Sequence, residues 1–402
     1  MKRDLPIWGH SRDPVPLDAA RPQDAIRPTY CVWEVTLRCD LACAHCGSRA
    51  GKARADELDT AECLDVVGQL AELGVREVSL IGGEVYLRDD WQLLVRAVRE
   101  AGMTCGIVSG GRGFDRQRAA QARDAGVNGV SISVDGLEAA HDQLRALRGS
   151  YRAAMSALEQ LEACGVRHAA NTQINRLSQR DLPELLERLI ERGIYGWQPQ
   201  ITVAMGRAAD HPEILLQPYE LLEVMPTLAS LAERCSAAGV RFAPGNNVGY
   251  FGPHESTLRK HSSKGHCQSC TAGRHTLGIE ANGDVKGCPS LPSADYVGGN
   301  LRRASLQAIW EGAQSLRFTR DRDTTELWGF CKGCYYSEEC LAGCSWTSHV
   351  LFGKRGNNPY CHHRALELRD RGVRERLVRG VSAPGTPFDF GEFELIEEPW
   401  PT

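Results

Sequence analysis

The chain has 402 residues, of which 42% are hydrophobic and 24% charged, an ordinary balance for a globular protein with a substantial core. Its net charge of −4 excludes the broad basic surface that nucleic-acid-binding proteins carry. No apolar h-region follows Met1 and no run of roughly 18 apolar residues occurs, so we predict neither a signal peptide nor a membrane span. Sixteen cysteines without an export signal indicate metal ligation in a reducing compartment, the cytoplasm, rather than disulfide bonds.

Strands and helices alternate over the first two thirds of the chain. Residues 1–28 are polar and Pro-rich, and we predict an extended N-terminal arm there. From residue 29 to 243 short β-branched or apolar runs alternate with helical patterns, which predicts an α/β domain with a parallel sheet. Six such units favour a partial (β/α)6 TIM-like barrel, although a doubly wound open sheet has the same pattern. The predicted strands are 29–37, 77–81, 105–108, 129–134, 166–174 and 197–203, and the predicted helices are 60–73, 90–101, 150–164, 182–192 and 220–238.

The first predicted strand leads into three closely spaced cysteines, Cys39, Cys43 and Cys46, in the pattern C-x₃-C-x₂-C. Three thiolates can hold three corners of a four-iron, four-sulfur cube, and no fourth cysteine lies nearby to close it. An open metal position is where a metal site does chemistry. The alternative is a structural zinc site, but such sites usually combine C-x₂-C with a second cysteine or histidine pair.

Polar or Gly-rich residues follow each of the later predicted strands. The carboxyl ends of barrel strands are where such folds carry their active sites. Each signal is weak alone, because a Gly-Gly-Glu sequence is also an ordinary turn. The residues concerned are Gly82-Gly83-Glu84, Ser109-Gly110-Gly111, Ser133 with Asp135-Gly136, Asn171 with Gln173, and Gly206-Arg207-Ala208.

A second cysteine array fills the last third of the chain. Residues 244–265 are rich in Gly, Asn, His and Ser and predict a linker, and residues 266–368 then predict a small cysteine-rich α+β domain with a hairpin around Gly283. Eight thiols are the number needed for two fully ligated four-iron clusters or for two Cys₄ zinc sites. The eight thiols are those of Cys267, Cys270, Cys288, Cys331, Cys334, Cys340, Cys344 and Cys361.

We predict a separate C-terminal tail at residues 369–402. It either covers the barrel mouth or an edge of the sheet, or is disordered.

The first motif, with His45 before its last cysteine and the ordered signals behind it, resembles the radical S-adenosylmethionine (SAM) superfamily. The seven thiols from Cys270 onwards resemble the SPASM extension of radical SAM peptide and protein maturases. The resemblance spans roughly residues 30–365. It implies SAM and three 4Fe–4S clusters as cofactors, one binding SAM and two auxiliary, and it favours iron–sulfur clusters over zinc.

The resemblance also implies which residues serve each group. Cys39, Cys43 and Cys46 would hold the SAM cluster; Cys267, Cys270, Cys288 and Cys344 the first auxiliary cluster; and Cys331, Cys334, Cys340 and Cys361 the second. Arg145 is a candidate partner of the SAM carboxylate, with a solvated helix arginine as the alternative. Val85 departs from the family, in which proline often follows Gly-Gly-Glu. The SAM contacts implied are His45 near the adenine, Gly82, Gly83 and Glu84 at the methionine amino group, Ser133 at the carboxylate or ribose, Asp135 in the turn, and further Ser109, Arg145 and Gln173.

The implied function is that of a maturase that cleaves SAM reductively and abstracts a hydrogen atom from a ribosomally made peptide or a protein side chain. Its product would be a cross-link, a thioether, an oxidised residue or an epimer. Its partners would be a precursor peptide or protein and an electron donor such as flavodoxin or ferredoxin, with no nucleic acid and no membrane. No catalytic base can be selected from the sequence, and Cys31, Cys63, Cys105, Cys164 and Cys235 stay unassigned.

Other functions compete with this one. Oxidation of Cys or Ser to formylglycine, as in sulfatase maturation, uses an Asp directly after the second SPASM cysteine, whereas Pro289 follows Cys288 here. A small-molecule or tetrapyrrole-modifying radical SAM enzyme is a second alternative. A non-catalytic iron–sulfur carrier or zinc scaffold belongs to a different class, and it would not cleave SAM when reduced.

Overall fold

A computed structural model describes residues 26–262, 265–267 and 269–401, so most of the predicted N-terminal arm lies outside the described residues. The elements up to residue 258 are β1 Tyr30–Glu34, α1 Thr60–Leu73, β2 Glu77–Ile81, α2 Trp91–Glu100, β3 Thr104–Ser109, α3 Arg116–Asp124, β4 Gly129–Ser133, α4 Glu138–Arg145, α5 Ser150–Ala163, β5 His168–Ile174, α6 Leu182–Glu191, β6 Gly196–Ile201, α7 Arg207–Asp210, α8 Leu221–Ala237, β7 Arg241–Phe242 and α9 Glu255–Leu258. Those that follow are β8 Thr276–Ile279, β9 Asp284–Lys286, α10 Ser293–Tyr296, β10 Gly299–Asn300, α11 Leu306–Gly312, α12 Gln314–Arg317, α13 Ser337–Cys340, α14 Ser345–Phe352, α15 His362–Asp370, β11 Val373–Val381 and β12 Glu392–Pro399.

The strands from β1 to β7 lie side by side in chain order and are all parallel. Helices cross over between them, which confirms the predicted α/β fold with a partial barrel. On its other edge β1 pairs with β8, a parallel strand from the cysteine-rich part of the chain, and β9 and β10 extend the sheet antiparallel. The barrel (residues 29–243) and the cysteine-rich region (266–368, here called the cluster domain) therefore share one sheet.

The two faces of the barrel sheet differ in polarity. Along β6, Trp197 and Ile201 are buried in the main hydrophobic core, whereas Gln198 and Gln200 point to the opposite face and are half-buried. Because side chains alternate along a strand, the same division holds for the neighbouring strands. The helices cover the apolar face, and the inner face, here called the lumen, carries mainly polar side chains on β4, β5 and β6.

Local sequence signals account for the best-predicted helix. Asp59 accepts a hydrogen bond from the backbone of Glu62, and the Glu62 carboxylate accepts one in return from the Asp59 backbone. This capping box satisfies two free N–H groups and fixes the start of α1. Its observed range, Thr60–Leu73, is the predicted one.

The prediction missed four barrel elements, α3, α4, α7 and β7. Helix α3 is strongly polar and buries only Ala119 and Ala122, so it lacks the apolar stripe by which a helix is recognised from sequence. Strand β7 is two residues long. The C-terminal tail, for which the sequence predicts either a cover over the barrel or disorder, is ordered and forms the antiparallel hairpin β11–β12. None of the described helices is both long and apolar enough to cross a membrane.

Candidate active site

The loop that carries the first three cysteines is fixed by its neighbours in the fold. Arg207, which follows β6, donates from Nε to the Cys43 carbonyl (2.7 Å) and from its backbone N–H to the Cys46 carbonyl (3.0 Å). A Cβ atom on Gly206 would lie 2.4 Å from the Cys46 oxygen, and the Gly206 φ angle is +58°, so only glycine allows this approach. The Gly206-Arg207-Ala208 segment thus holds the cysteine loop in place through hydrogen bonds and close backbone contact.

Cys39, Cys43 and Cys46 lie close enough to influence one another electrostatically. Burial, reinforced by the neighbouring thiols, raises the pKa of Cys39 to about 12, and burial also raises the pKa of Cys43. The thiols of Cys39 and Cys43 resist ionisation on their own, and the cationic core of an iron–sulfur cube would supply the positive charge that stabilises their thiolates. The residues present therefore fit a cluster held at three corners.

The Gly82-Gly83-Glu84 turn packs directly against this loop. A Cβ on Gly83 would lie 2.1 Å from the Arg38 carbonyl oxygen and 2.7 Å from the Cys39 Cβ. The Glu84 carboxylate is buried and accepts hydrogen bonds from the Ser109 hydroxyl (2.7 Å) and the Gly110 N–H (2.6 Å). Burial raises the pKa of Glu84 to about 7, against the effect of these two donors. The side chains of Glu84 and Ser109 are therefore bound to each other. The backbone groups of the Gly82-Gly83-Glu84 turn are left to bind a ligand.

The oxygens of Asp40 and Glu84 and the Cys39 sulfur lie within 4.8 Å of one another, a spacing that a single metal ion can also use. However, the Glu84 oxygens are already occupied by Ser109 and Gly110. We therefore do not assign a mononuclear site to these three residues.

Asp135 is the electrostatic centre of the site and more than a turn residue. It is fully buried and pairs with Arg145 Nη2 at 2.6 Å and His45 Nε2 at 3.2 Å. Burial alone would raise its pKa, but Arg145 and His45 outweigh burial and hold the pKa of Asp135 well below its usual range. The Asp135 N–H donates to Nδ1 of His141, whose pKa burial lowers to about 4.

Arg145 is not a solvated helix residue. Its side chain is 10% exposed, and its Nη1 lies 3.7 Å from the Cys43 sulfur. Its Nε is buried and makes no hydrogen bond within the described part of the chain. Arg145 thus joins the Asp135 carboxylate to the cysteine loop and keeps one donor available.

The wall of the lumen formed by β5 and β6 carries four carboxamides in register. Asn171 lies beside Gln198, and Gln173 lies beside Gln200 one step nearer the carboxyl ends of the strands. Ser133 on β4 is in register with Asn171. All five side chains are half-buried. Ser133, Asn171 and Gln173 are predicted from the sequence, whereas the β6 pair is not, although the alternation Trp-Gln-Pro-Gln-Ile indicates a polar face there.

The eight thiols of the cluster domain fall into two groups. Burial raises the pKa of Cys288 to about 12, and the neighbouring thiols that reinforce the shift are Cys270 and Cys344. Burial likewise raises the pKa of Cys361 to about 12, with contributions from Cys331 and Cys334. The members of the second group are Cys331, Cys334, Cys340 and Cys361, and those of the first are Cys267, Cys270, Cys288 and Cys344.

Cys267 borders both groups, because it influences Cys340 as well as Cys344 and Cys270. Tyr250 stands beside the first group, and its hydroxyl accepts a hydrogen bond from the Cys344 N–H. The grouping has the composition that the resemblance implies, and the assignment of each thiol to a cluster remains a proposal.

The unassigned thiols lie away from the lumen. Cys31, Cys63, Cys105 and Cys235 are buried in the core between sheet and helices. Cys164 is half-buried at the end of α5, with its thiol 3.7 Å from the Arg116 carbonyl. Their positions disfavour all five as hydrogen-atom donors to a substrate in the lumen.

Comparison with known proteins identifies two family regions. Residues 33–189 match the radical SAM superfamily, and residues 267–335 match the SPASM iron–sulfur cluster-binding domain, so that together they cover more than half of the chain. The chain is 26% identical to the AdoMet-dependent heme synthase of Methanosarcina barkeri, over 84% of this chain and 97% of that protein. It is 29% identical to the mycofactocin maturase MftC of Mycobacterium ulcerans, over 79% and 83% respectively.

Solved structures share the fold at low sequence identity. The structure of Streptococcus suis SuiB bound to its precursor peptide SuiA superposes with a TM-score of 0.63 at 17% identity, covering 80% of this chain and 72% of that one. The structure of anSMEcpe with AdoMet and the Cp18Cys peptide gives 0.65 at 15% identity, covering 85% and 95%. The chain therefore belongs to the radical SAM superfamily as an enzyme with a C-terminal SPASM domain, and its cofactors are SAM and 4Fe–4S clusters.

Proposed function

We propose that this enzyme modifies a side chain of a ribosomally made peptide or of a protein, and that its substrate lies in the lumen between the two cysteine regions. Cys39, Cys43 and Cys46 hold the SAM cluster in this proposal, which with SAM supplies hydrogen-atom abstraction through a 5′-deoxyadenosyl radical. The two groups of cluster-domain thiols hold two auxiliary clusters.

The chain's own residues position SAM. Arg145 binds the SAM carboxylate with the donor that has no partner in the described structure, while Asp135 keeps the guanidinium in place. His45 is held by Asp135 beside the cysteine loop, where it packs against the adenine. The backbone of Gly82 and Gly83 receives the methionine amino group, because the Glu84 carboxylate is bound to Ser109.

The neutral wall of the lumen is the observation that carries the peptide assignment. Carboxamides donate and accept hydrogen bonds in the same way as a peptide group does, and Asn171, Gln198 and Gln200 present them in register on one face. Four cations near the mouth, Arg49, Arg54, Arg145 and Lys286, each contact a carboxylate, and Arg207 donates to backbone carbonyls. A polyanionic substrate would have to compete with these partners for each cation.

This charge pattern bears on the second candidate, a tetrapyrrole-modifying enzyme, which the heme synthase relatives favour. Tetrapyrroles of this class carry propionate groups, which proteins bind best with arginine. SuiB has been solved with a bound precursor peptide and MftC is described as a maturase, and they support the first candidate. Formylglycine formation is disfavoured by Pro289, which cannot act as a base.

The test is co-expression of the enzyme with each short reading frame that neighbours its gene, followed by intact-mass analysis. We expect one peptide to change mass, and we expect the change to vanish when Cys39, Cys43 and Cys46 are replaced by alanine. Iron coproporphyrin III is incubated with reduced enzyme and SAM in parallel. Conversion of this porphyrin, with every peptide unchanged, would establish the second candidate instead.

A further inference from the structure

The loop between β11 and β12, residues 382–391, reaches the junction of the barrel and the cluster domain. We call this loop the tip. Its backbone pairs with the segment after β6: Phe390 forms an antiparallel bridge with Met205, and the Gly206 N–H donates to the Asp389 carbonyl at 2.8 Å. Gly206 is also the residue that touches the cysteine loop. The tip is thus a loop with a turn at residues 385–388, and it is seated at the mouth of the lumen.

Phe388 of the tip occupies an apolar pocket built by both regions. Val203 and Met205 come from the barrel and Val350 comes from α14 of the cluster domain. The Phe388 ring is 8% exposed, and the ammonium group of Lys286 lies 3.9 Å from its centroid. Phe390 next to it packs against His349, with 5.1 Å between the ring centroids. The pocket therefore offers apolar walls and a cation above an aromatic ring, which is a favourable setting for aromatic side chains.

One ion pair fastens the tip. Arg49, three residues after Cys46, donates to the Asp389 carboxylate at 2.7 Å. The other Asp389 oxygen accepts hydrogen bonds from Gly385 and Thr386 within the tip itself. Residues 384–387 are exposed. The attachment is consequently concentrated on Phe388, Asp389 and Phe390.

The attachment is strained at both of its ends. Phe388 has a φ angle of +58° and Arg49 one of +49°, and left-handed backbone is unfavourable for residues with large side chains. Leaving the site would let Phe388 relax. A segment that is held by few residues under strain is suited to exchange with another ligand.

We propose that the tip is a tethered peptide ligand of a docking pocket at the mouth, and that the substrate peptide displaces it by inserting an aromatic side chain where Phe388 now lies. The substrate class is then a peptide segment that presents an aromatic residue from a turn, followed by a group that Arg49 can bind. This inference rests on the proposed function in one respect, namely that the peptide that displaces the tip is the substrate of the enzyme. The pocket itself is defined by the segment already seated in it.

The test uses the tip sequence as a free peptide. A blocked, fluorescently labelled peptide of residues 382–391 is titrated with reconstituted enzyme, and its anisotropy is measured. In one variant the tip is replaced by a short Gly-Ser turn, and in a second, full-length variant the changes are Phe388→Ala and Asp389→Ala. We expect both variants to bind the peptide at least about tenfold more tightly than the unaltered enzyme, because a tethered copy competes at high effective concentration.

Two altered peptides serve as controls. The peptide with Phe388→Ala should lose at least about tenfold in affinity, whereas the peptide with Pro384→Ala, an exposed position, should keep its affinity. Equal binding to the unaltered enzyme and to both variants, or no binding to a variant with native iron content and circular dichroism, would overturn the proposal. Binding of the tip peptide together with a failure to modify any peptide would overturn the proposed function and leave the docking pocket standing.

Discussion

The barrel and the cluster domain hold their cysteines by different means. In the barrel, Gly206 and Arg207 fix the cysteine loop from a neighbouring segment, and a ten-stranded sheet supports both. In the cluster domain the thiols lie on short helices and turns, and the satellite core there includes Cys270 itself. Other parts of this domain pack into the main core, but the stretch 317–350, which carries four of the eight thiols, contributes no residue to it. This stretch relies on metal ligation, since binding the metal then supplies part of the folding free energy. The barrel site is preorganised, whereas this part of the cluster domain depends on its clusters.

The largest expected effect is loss of SAM cleavage. Replacing Cys39, Cys43 and Cys46 together by alanine should abolish 5′-deoxyadenosine formation and lower the iron content from about twelve to about eight per chain, because the other cubes use separate ligands. The circular dichroism should stay close to that of the unaltered protein, because the barrel sheet does not need this cluster. Cys164→Ala is the control for thiol loss. SAM cleavage by the triple variant under dithionite would refute the assignment of these ligands.

Loss of a cluster-domain ligand should have a different signature. Cys344→Ala should lower the iron content by about four and make residues 266–368 sensitive to limited proteolysis, with cleavage there at least about tenfold faster than in the barrel. Mass spectrometry of the fragments locates the cuts. Uniform resistance of the two regions would show that the cluster domain is folded by its side chains alone, and the contrast between the regions would disappear.

The same contrast explains how far the sequence could be interpreted. The barrel was predicted because its strands and helices follow fixed periods, and α1 carries its own capping box. In the cluster domain only the turn at Gly283 gave a local signal, and the hairpin β8–β9 was found there. The pairing of β8 with β1 joins residues about 250 positions apart, and no local pattern records such a contact.

The site shows the same limit. Motif positions such as Gly83, Glu84 and Asp135 are recognisable because their spacing in the chain is fixed. Arg49 and its contact with Asp389 were missed, because the partner lies 340 residues away and Arg49 belongs to no motif. Gln198 and Gln200 were not predicted, although they alternate with apolar residues along the strand. The alternation shows that both side chains lie on one face of the sheet, but it does not show that this face encloses a cavity.

Within the barrel, Arg145 should separate SAM binding from stability. Arg145→Met should weaken SAM binding by about thirtyfold, since a charge-assisted bond is worth about 2 kcal/mol. It should also destabilise the barrel, by at most about 3–5 kcal/mol, because the buried Asp135 carboxylate would lose its arginine and keep only His45 opposite it.

Adding Asp135→Asn should restore much of that stability without restoring SAM affinity. Equilibrium dialysis and thermal unfolding measure the two effects. Full SAM affinity in the single variant would show that Arg145 is purely structural.

The smallest expected effect tests the seam between the two regions. Glu34 ends β1 and Glu280 follows β8, and Arg54 contacts both, at 3.3 and 2.7 Å. Burial raises the pKa of Glu34 to about 7, although Arg54 opposes the shift. Folded Glu34 thus holds its proton more firmly than the unfolded chain does. The stability that it contributes is present below about pH 4.5 and is lost as the pH rises through about 7, by no more than about 3 kcal/mol.

Glu34→Gln removes this titration, because the amide stays neutral at every pH. The Tm of the variant should therefore rise relative to that of the unaltered protein between pH 5 and pH 8, by several degrees. Glu72→Gln, on the exposed side of α1, is the control for the chemistry of the substitution. If the Tm of the variant instead falls relative to that of the unaltered protein over this range, the ion pair with Arg54 has a larger effect on the pKa of Glu34 than burial has. The seam would then be held by charge, and the two regions would be coupled more tightly at high pH than at low pH.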